Sequence, residues 1–333
     1  MNAPAGPAQF PVFAPGDRLP DFVLPDVLGN PFGLTYAAVG KPLVIAVAGS
    51  QPERHFRPLV AAAERLQDAT VLCITRLPPA QNKVLAETLR LPFALLSDGK
   101  GQVSTALLND GQAGAPVPPL ATYTLDRNQR IRRIARGDKA EAQVEGVLAA
   151  LAMMLPSPDP LPAPRPAPLL SIPGVLEPEF CRELIDVWEQ QGNVPTGTIN
   201  ALAETRESLD DEVKKRRDHY IRDQALMQRV ADRINRRVAP EIDKVFCFRA
   251  TRAEEFKVAC YDADGGGYFR PHRDNLSEPT AHRRFAMSLL LNEPEDYEGG
   301  ELRFLEYGPE LYRPRAGEAE AQRLAARAKQ GAR

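Results

Sequence analysis

The sequence predicts two domains of different class, an α/β unit followed by a helix-backed antiparallel β unit. Three observations carry this. The chain has 333 residues, too many for one ordinary core and about right for two. The segment "PSPDPLPAPRPAP", 156–168, has proline at every second position; such density removes backbone donors and fixes φ, which predicts an extended, semi-rigid spacer. The hydrophobic period also differs on the two sides of that spacer. The predicted boundaries are 10–153 for the first domain, 154–169 for the linker and 170–333 for the second.

In the first half, apolar runs of strand length ("KPLVIAVAG", "ATVLCITRL", "PFALLSD", "LATYTLD") alternate with helix-like stretches ("FRPLVAAAERLQ", "NKVLAETLR", "AEAQVEGVLAALAMM"). Continuous apolar strands between helices predict a largely parallel sheet covered on both faces. The second half opens on "EPEFCRELIDVWEQQGN", where Phe180, Leu184, Val187 and Trp188 share a helical face and Gly192 offers a stop. A longer helix is expected over roughly 211–238, with Leu226, Val230, Ile234 and Val238 at helical spacing before Pro240. The period then changes to two. "EFKVACY", "RRFAMSLLLN" and "GGELRFLEYG" read as short strands bounded by Gly, Asn and Pro.

Composition narrows the function classes. Hydrophobic residues at 43% and charged residues at 26% fit a soluble globular protein. A net charge of −2 gives no whole-chain reason to expect nucleic acid or a membrane surface as partner. The opening "MNAPAGPAQFPVFAPG" lacks a basic n-region and an unbroken apolar h-region. The longest apolar run, "PLVIAVAG", is far short of a spanning helix. A cytoplasmic location is expected. Cys73, Cys181, Cys247 and Cys260 lie far apart in apolar contexts with no C-x-x-C, so buried free thiols are expected.

"PGDRLPDFVLPDVLGNPFGL" followed by "KPLVIAVAGS", with "LATYTLDRNQRI" later, resembles the peroxiredoxin branch of the thioredoxin-like family over about residues 15–152. The resemblance implies a thioredoxin-like α/β fold with a nucleophilic cysteine at a helix start after the first central strand. Here that stretch is "SQPERHFRPL", without cysteine. Cys73 sits mid-strand, where burial raises a thiol pKa, and His55, with no cysteine to pair with, reads as a surface or cap residue. A non-catalytic scaffold or docking module is expected.

The densest chemistry is in "GYFRPHRDN", 267–275. His272 and Asp274 stand two apart, which on a strand places both side chains on one face and suits two ligands of one metal ion. The run "KVACYDADGGGYFRPHRDN…RRFAMSLLLNEPEDYEGGELRF" is similar to the catalytic core of the Fe(II)/2-oxoglutarate-dependent dioxygenases of the prolyl 4-hydroxylase type, over about residues 170–318. That resemblance implies a double-stranded β-helix (jelly-roll) domain with flanking helices. It also implies Fe(II), held by two histidines and a carboxylate on one face of the metal, with the other face for 2-oxoglutarate and O₂. It assigns His272 and Asp274 to the metal, Tyr261 to the 2-oxoglutarate cosubstrate and Tyr268 to the substrate pocket. Leu290 replaces a further cosubstrate tyrosine of some relatives, Arg283 and Arg284 are expected to be solvated or salt-bridged, and Gly299 and Gly300 match a structural turn. The implied reaction is hydroxylation of a C–H bond, with a peptidyl proline in a protein or peptide as first substrate and ascorbate as an optional cofactor.

The family's second histidine ligand and a following basic residue lie on a later strand, but this chain has no histidine after His282. "LYRPRAGEA" resembles the lead-in to that strand; after about residue 319 the pattern is lost, and "EAQRLAARAKQGAR" is expected as exposed helix or disorder. His282 reads as a hydrated loop residue and His219, in "KKRRDHYIRD", as part of a solvated helix face. Two accounts stay open: a frame error or truncation in the coding sequence of an ordinary oxygenase, or a non-catalytic binding protein or pseudo-enzyme with an incomplete metal site and a redox-inactive thioredoxin-like domain.

Overall fold

The computed structural model describes residues 12–34, 40–112, 114–154, 167–199, 207–208, 213–263, 265–275 and 280–324. The chain divides into two compact units, Met1–Asp159 and Pro160–Arg333. Most of the proline-rich linker, 155–166, lies outside the described residues.

The first unit is built on a five-stranded sheet. After the short hairpin β1 (Val23–Pro25) and β2 (Pro31–Gly33) come β3 (Leu43–Ala48), β4 (Thr70–Thr75), β5 (Ala94–Ser97), β6 (Leu120–Leu125) and β7 (Ile131–Arg136). The order is β5-β4-β3-β6-β7, with β3, β4 and β5 parallel and β6 and β7 antiparallel. The expected largely parallel sheet is therefore mixed. The β6–β7 connection is the short turn "DRNQ", which only an antiparallel pair can use.

Every residue of β3 is buried, and its two faces feed two cores. Leu43, Ile45 and Val47 join one cluster; Val44, Ala46 and Ala48 join the other. Helices α1 (Pro52–Ala61), α2 (Pro79–Leu89) and α4 (Ala140–Ala152) cover the second, through Phe56, Leu59, Leu89, Val144 and Val147. Helix α3 (Gln102–Leu108) covers the first through Ala106, Leu107 and Leu108. Sheet residues with both faces covered read as unbroken apolar runs, which is why these strands are visible in the sequence.

The second unit begins with β8 (Leu169–Ile172) and α5 (Pro178–Gln190), whose Phe180, Leu184 and Val187 are buried as expected. Short strands follow: β9 (Val194–Pro195), β10 (Thr198–Ile199), β11 (Glu207–Ser208), β12 (Lys214–Lys215) and β13 (Arg217–Tyr220). Helix α6 (Gln224–Arg233) starts only at Asp223, whose carboxylate accepts from the Leu226 N–H at 2.7 Å. A π-helical turn over Ile234–Val238 joins it to α7 (Ala239–Phe246), in which Pro240 occupies the first turn, where its missing donor costs nothing. The expected helix over 211–238 thus begins as strand, because β13 finds a partner in β14 (Lys257–Cys260). That pairing outweighs local propensity.

The remaining strands are β15 (Tyr268–Phe269), β16 (Phe285–Leu289), β17 (Leu302–Arg303), β18 (Leu311–Tyr312) and β19 (Ala319–Arg323). They form two three-stranded sheets, β14-β13-β9 and β16-β19-β8, beside the pairs β10–β11, β12–β15 and β17–β18. This departs from the expected jelly roll, whose longer strands build two continuous sheets. Pro271, Pro309 and Pro314 flank β15 and β18 and remove ladder donors, and Gly299 and Gly300 precede β17 at positive φ.

The segment expected as exposed helix or disorder is in part the central strand β19. Ala319 and Ala321 are fully buried in the helix-backed core with Ile172 and Phe180. Residues 325–333 lie outside the described residues.

Candidate metal and carboxylate site

The sheet β14-β13-β9 has two unlike faces. Val258 turns to the core formed with α5, α6 and α7, while Lys257, Ala259 and Tyr261 alternate to the other side. The register pairs Asp218 with Ala259 and Arg217 with Cys260, and continued by one residue it sets Arg216 across from Tyr261. Lys257, Asp218, Arg216 and Tyr261 therefore share the face turned away from the core. Asp218 is fully buried; Arg216 grips it with two hydrogen bonds of 2.7 Å and Lys257 reaches it at 2.9 Å. Arg216 Nη1 donates to the Tyr261 hydroxyl at 3.3 Å, and its guanidinium lies 5.6 Å from that ring's centroid.

The glycine-rich turn behind Tyr261 is required by a close approach. A Cβ on Gly267 would stand 2.7 Å from Asp262 N and 2.8 Å from Tyr261 C and Cα, so only glycine lets the turn fold back there. The turn delivers β15, which pairs with β12. Phe269 then stacks on His272 with ring centroids 3.5 Å apart.

His272 and Asp274 lie in the loop after β15 rather than on the expected strand, since Pro271 interrupts it. The loop still brings the two side chains together, with Nε2 to Oδ1 at 3.5 Å. His272 Nδ1 sits 2.8 Å from the Arg270 carbonyl, which orients the ring and leaves Nε2 facing Asp274. Burial lowers the His272 pKa, but the Asp274 carboxylate and the Arg270 carbonyl outweigh it and the net shift is upward. Asp274 is held below the usual carboxylate range, first by the His272 hydrogen bond and, through charge, by His272, Arg283 and Arg216, against burial. Arg283 donates from Nη1 to the Asp274 carbonyl at 3.0 Å and clasps Glu254 with two 2.7 Å bonds.

Two donors at about 2.1 Å on adjacent coordination positions stand roughly 3 Å apart, so the His272–Asp274 pair fits two neighbouring positions of one ion. The three-donor facial set is not completed. Among the described residues no group of three or more His, Cys, Asp or Glu could hold a metal ion. The other histidines are accounted for. His55 belongs to the first unit, and His282 Nε2 is engaged with Glu254 at 3.2 Å. His219, expected on a helix, is on β13 with Nδ1 2.6 Å from the Gly192 carbonyl.

Tyr261 is 44% exposed and Tyr268 37%. What the sequence reading missed is the Arg216–Asp218–Lys257 cluster and the Glu254–Arg283 support of Asp274. "KKRRDHY" reads as a helical charge run by composition; in the fold Lys214 is on β12, while Arg216 and Asp218 turn to the same side of the β13–β14 pair.

In the first unit, His55 is not on the surface as expected but 1% exposed inside α1. Its pKa is lowered by burial and then by Arg54. Cys73 is buried in the sheet, and burial pushes its thiol far up. Cys181 is buried and pushed up to about 11, by burial and then by the Glu177 and Glu293 charges. All four cysteines are free, but Cys247 is exposed and Cys260 half-buried, contrary to expectation, because Cys247 ends α7 at φ 49°.

Residues 256–326 match the family model of the 2OG-Fe(II) oxygenase superfamily, so the C-terminal part of the chain carries a domain of that superfamily. The superfamily implies oxidoreductase chemistry with Fe(II), 2-oxoglutarate and O₂. The N-terminal region resembles peroxiredoxin structures. Peroxidoxin BcpB of Mycobacterium tuberculosis is 24% identical, the match covering 42% of this chain and 98% of that one with a TM-score of 0.38. The bacterioferritin comigratory protein of Xanthomonas campestris is 19% identical over 39% of this chain and 90% of its own, with a TM-score of 0.35. A thiol peroxidase from Chromobacterium violaceum is 19% identical over 42% and 88%, with a TM-score of 0.34. A search of curated proteins finds no match.

Proposed function

We propose that the second unit is an oxygenase-type domain of the prolyl 4-hydroxylase branch, hydroxylating a C–H bond with 2-oxoglutarate and O₂ as cosubstrates. A peptidyl proline is the first substrate class. The observation that carries the reading is the His272–Asp274 pair, preorganised at 3.5 Å inside the matched segment. These two side chains would hold Fe(II), Tyr261 would donate to the cosubstrate and Tyr268 would line the substrate pocket. The remaining residues position them: the Arg270 carbonyl sets the imidazole, and Arg283, anchored on Glu254, sets Asp274. The absence of disulfides fits action in the cytoplasm.

A second reading, a binding domain without turnover, draws on the incomplete donor set. Succinate formation from 2-oxoglutarate separates the two. Fe(II)-dependent succinate, lost in Asp274→Ala, is the expected result; no succinate above the metal-free background would leave the binding reading alone standing. Within the first unit a scaffold role is proposed, resting on the cysteine-free start of α1 and the inaccessible Cys73.

A further inference from the structure

Arg216 has five N–H donors and no acceptor. Nε and Nη2 are used on Asp218, and Nη1 turns to Tyr261. In that last bond the phenol oxygen must accept, so the Tyr261 O–H proton remains to be donated elsewhere. Asp218 carries one negative charge and meets two cations, Arg216 and Lys257, which leaves a positive charge that Asp218 does not balance. Arg216 is 14% exposed at its side chain, held rather than buried outright. A fixed guanidinium beside an outward-donating hydroxyl is the pairing that planar carboxylates bind best.

We infer that Arg216, held in place by Asp218, is the carboxylate-anchoring cation of this site, and that Arg216 and Tyr261 together take one carboxylate of a small organic acid. This rests on the site reading above, in which 2-oxoglutarate would be that acid, and it gives the cosubstrate a cation immediately before β13, which pairs with the strand that leads to Tyr261. Asp218 and Lys257 are positioning residues. They fix the guanidinium plane, and with it the direction from which the carboxylate is met.

The test uses the full chain and two separate probes. Succinate, which has no oxo group to chelate a metal, is titrated calorimetrically into metal-free protein. Saturable binding is expected, weakened about tenfold by Arg216→Met, which removes a charge-assisted contact, and partly recovered in Arg216→Lys. Tyr261→Phe leaves the Asp218 pair untouched, so it reads the same subsite should Arg216→Met fail to fold; a loss of about threefold is expected. Succinate affinity unchanged in Tyr261→Phe and in a folded Arg216→Met, or no binding by the parent chain, overturns the inference. Mn(II) binding, followed by electron paramagnetic resonance in the parent chain and in Asp274→Ala, tests the metal reading on its own. Mn(II) bound through Asp274 with succinate indifferent to Arg216 removes the inference and keeps that reading. Succinate bound through Arg216 with no Mn(II) bound does the reverse.

Discussion

Asp218, fully buried, holds Arg216 at 2.7 Å and Lys257 at 2.9 Å, and removing its charge would leave two cations facing each other without their shared carboxylate. Asp218→Asn should cost about 3 kcal/mol in urea denaturation, the usual scale for breaking a buried ion pair. Burial opposes ionisation of Asp218, but the Arg216 hydrogen bonds outweigh it, so its folded pKa lies below 3.8. Its contribution is present above that value and lost as pH falls through the folded pKa. Glu320 has the opposite sign. Burial raises its pKa above 4.5, the Ser171 hydroxyl satisfies Oε1 at 2.7 Å, and Oε2 has no hydrogen-bond partner among the described residues. The folded state favours the protonated acid, so stability is lost as pH rises from 4.5 through the folded value. Glu320→Gln should stabilise the chain by about 1 kcal/mol at pH 7 and bring no gain at acid pH, a difference that thermal melts at the two pH values read directly. Thiol accessibility gives a third check. Cys247 should react rapidly with a disulfide reagent in the native protein and Cys73 not at all, so Cys247→Ser should remove the fast phase.

At the scale of elements, the glycine turn and β13 decide whether the site exists. Gly267→Ala would press a Cβ to within 2.8 Å of the Tyr261 backbone, and backbone cannot yield as a side-chain tip can. A loss of about 2 kcal/mol is expected, measured by thermal unfolding, together with weaker succinate binding because Tyr261 moves. The helices α5 and α6 were legible in their apolar faces, whose residues recur at the helical period, although α6 begins after Asp223 and not near 211. β13 was not. Its residues Arg217, Asp218, His219 and Tyr220 have no apolar alternation to read, and they are strand because Val258 and its neighbours on β14 offer a ladder from far along the chain. β19 was hidden for the same reason. "AEAQR" has helix-forming composition, yet it pairs between β16 and β8, with Ala319 and Ala321 turned into the core.

For the whole molecule, the two units each enclose their own core. The first buries two clusters on opposite faces of one sheet, so Met1–Asp159 produced alone should unfold cooperatively; a non-cooperative melt in circular dichroism would contradict this. The division into an α/β unit and a helix-backed β unit was readable in the sequence because burial on two faces makes apolar runs and burial on one makes a period, both local patterns. So was the His272–Asp274 pair as a candidate site, since two side chains of ligand type two positions apart need nothing from the rest of the chain to be noticed. The sequence by itself also shows that no histidine stands between His282 and Arg333. Tertiary structure alone decided the rest. It turned a charge run into the wall of a site, drew Arg216 to Tyr261 and Asp274 to Arg283, and buried His55. Such contacts join residues far apart in the chain, and their energy depends on desolvation and on partners that no local window contains.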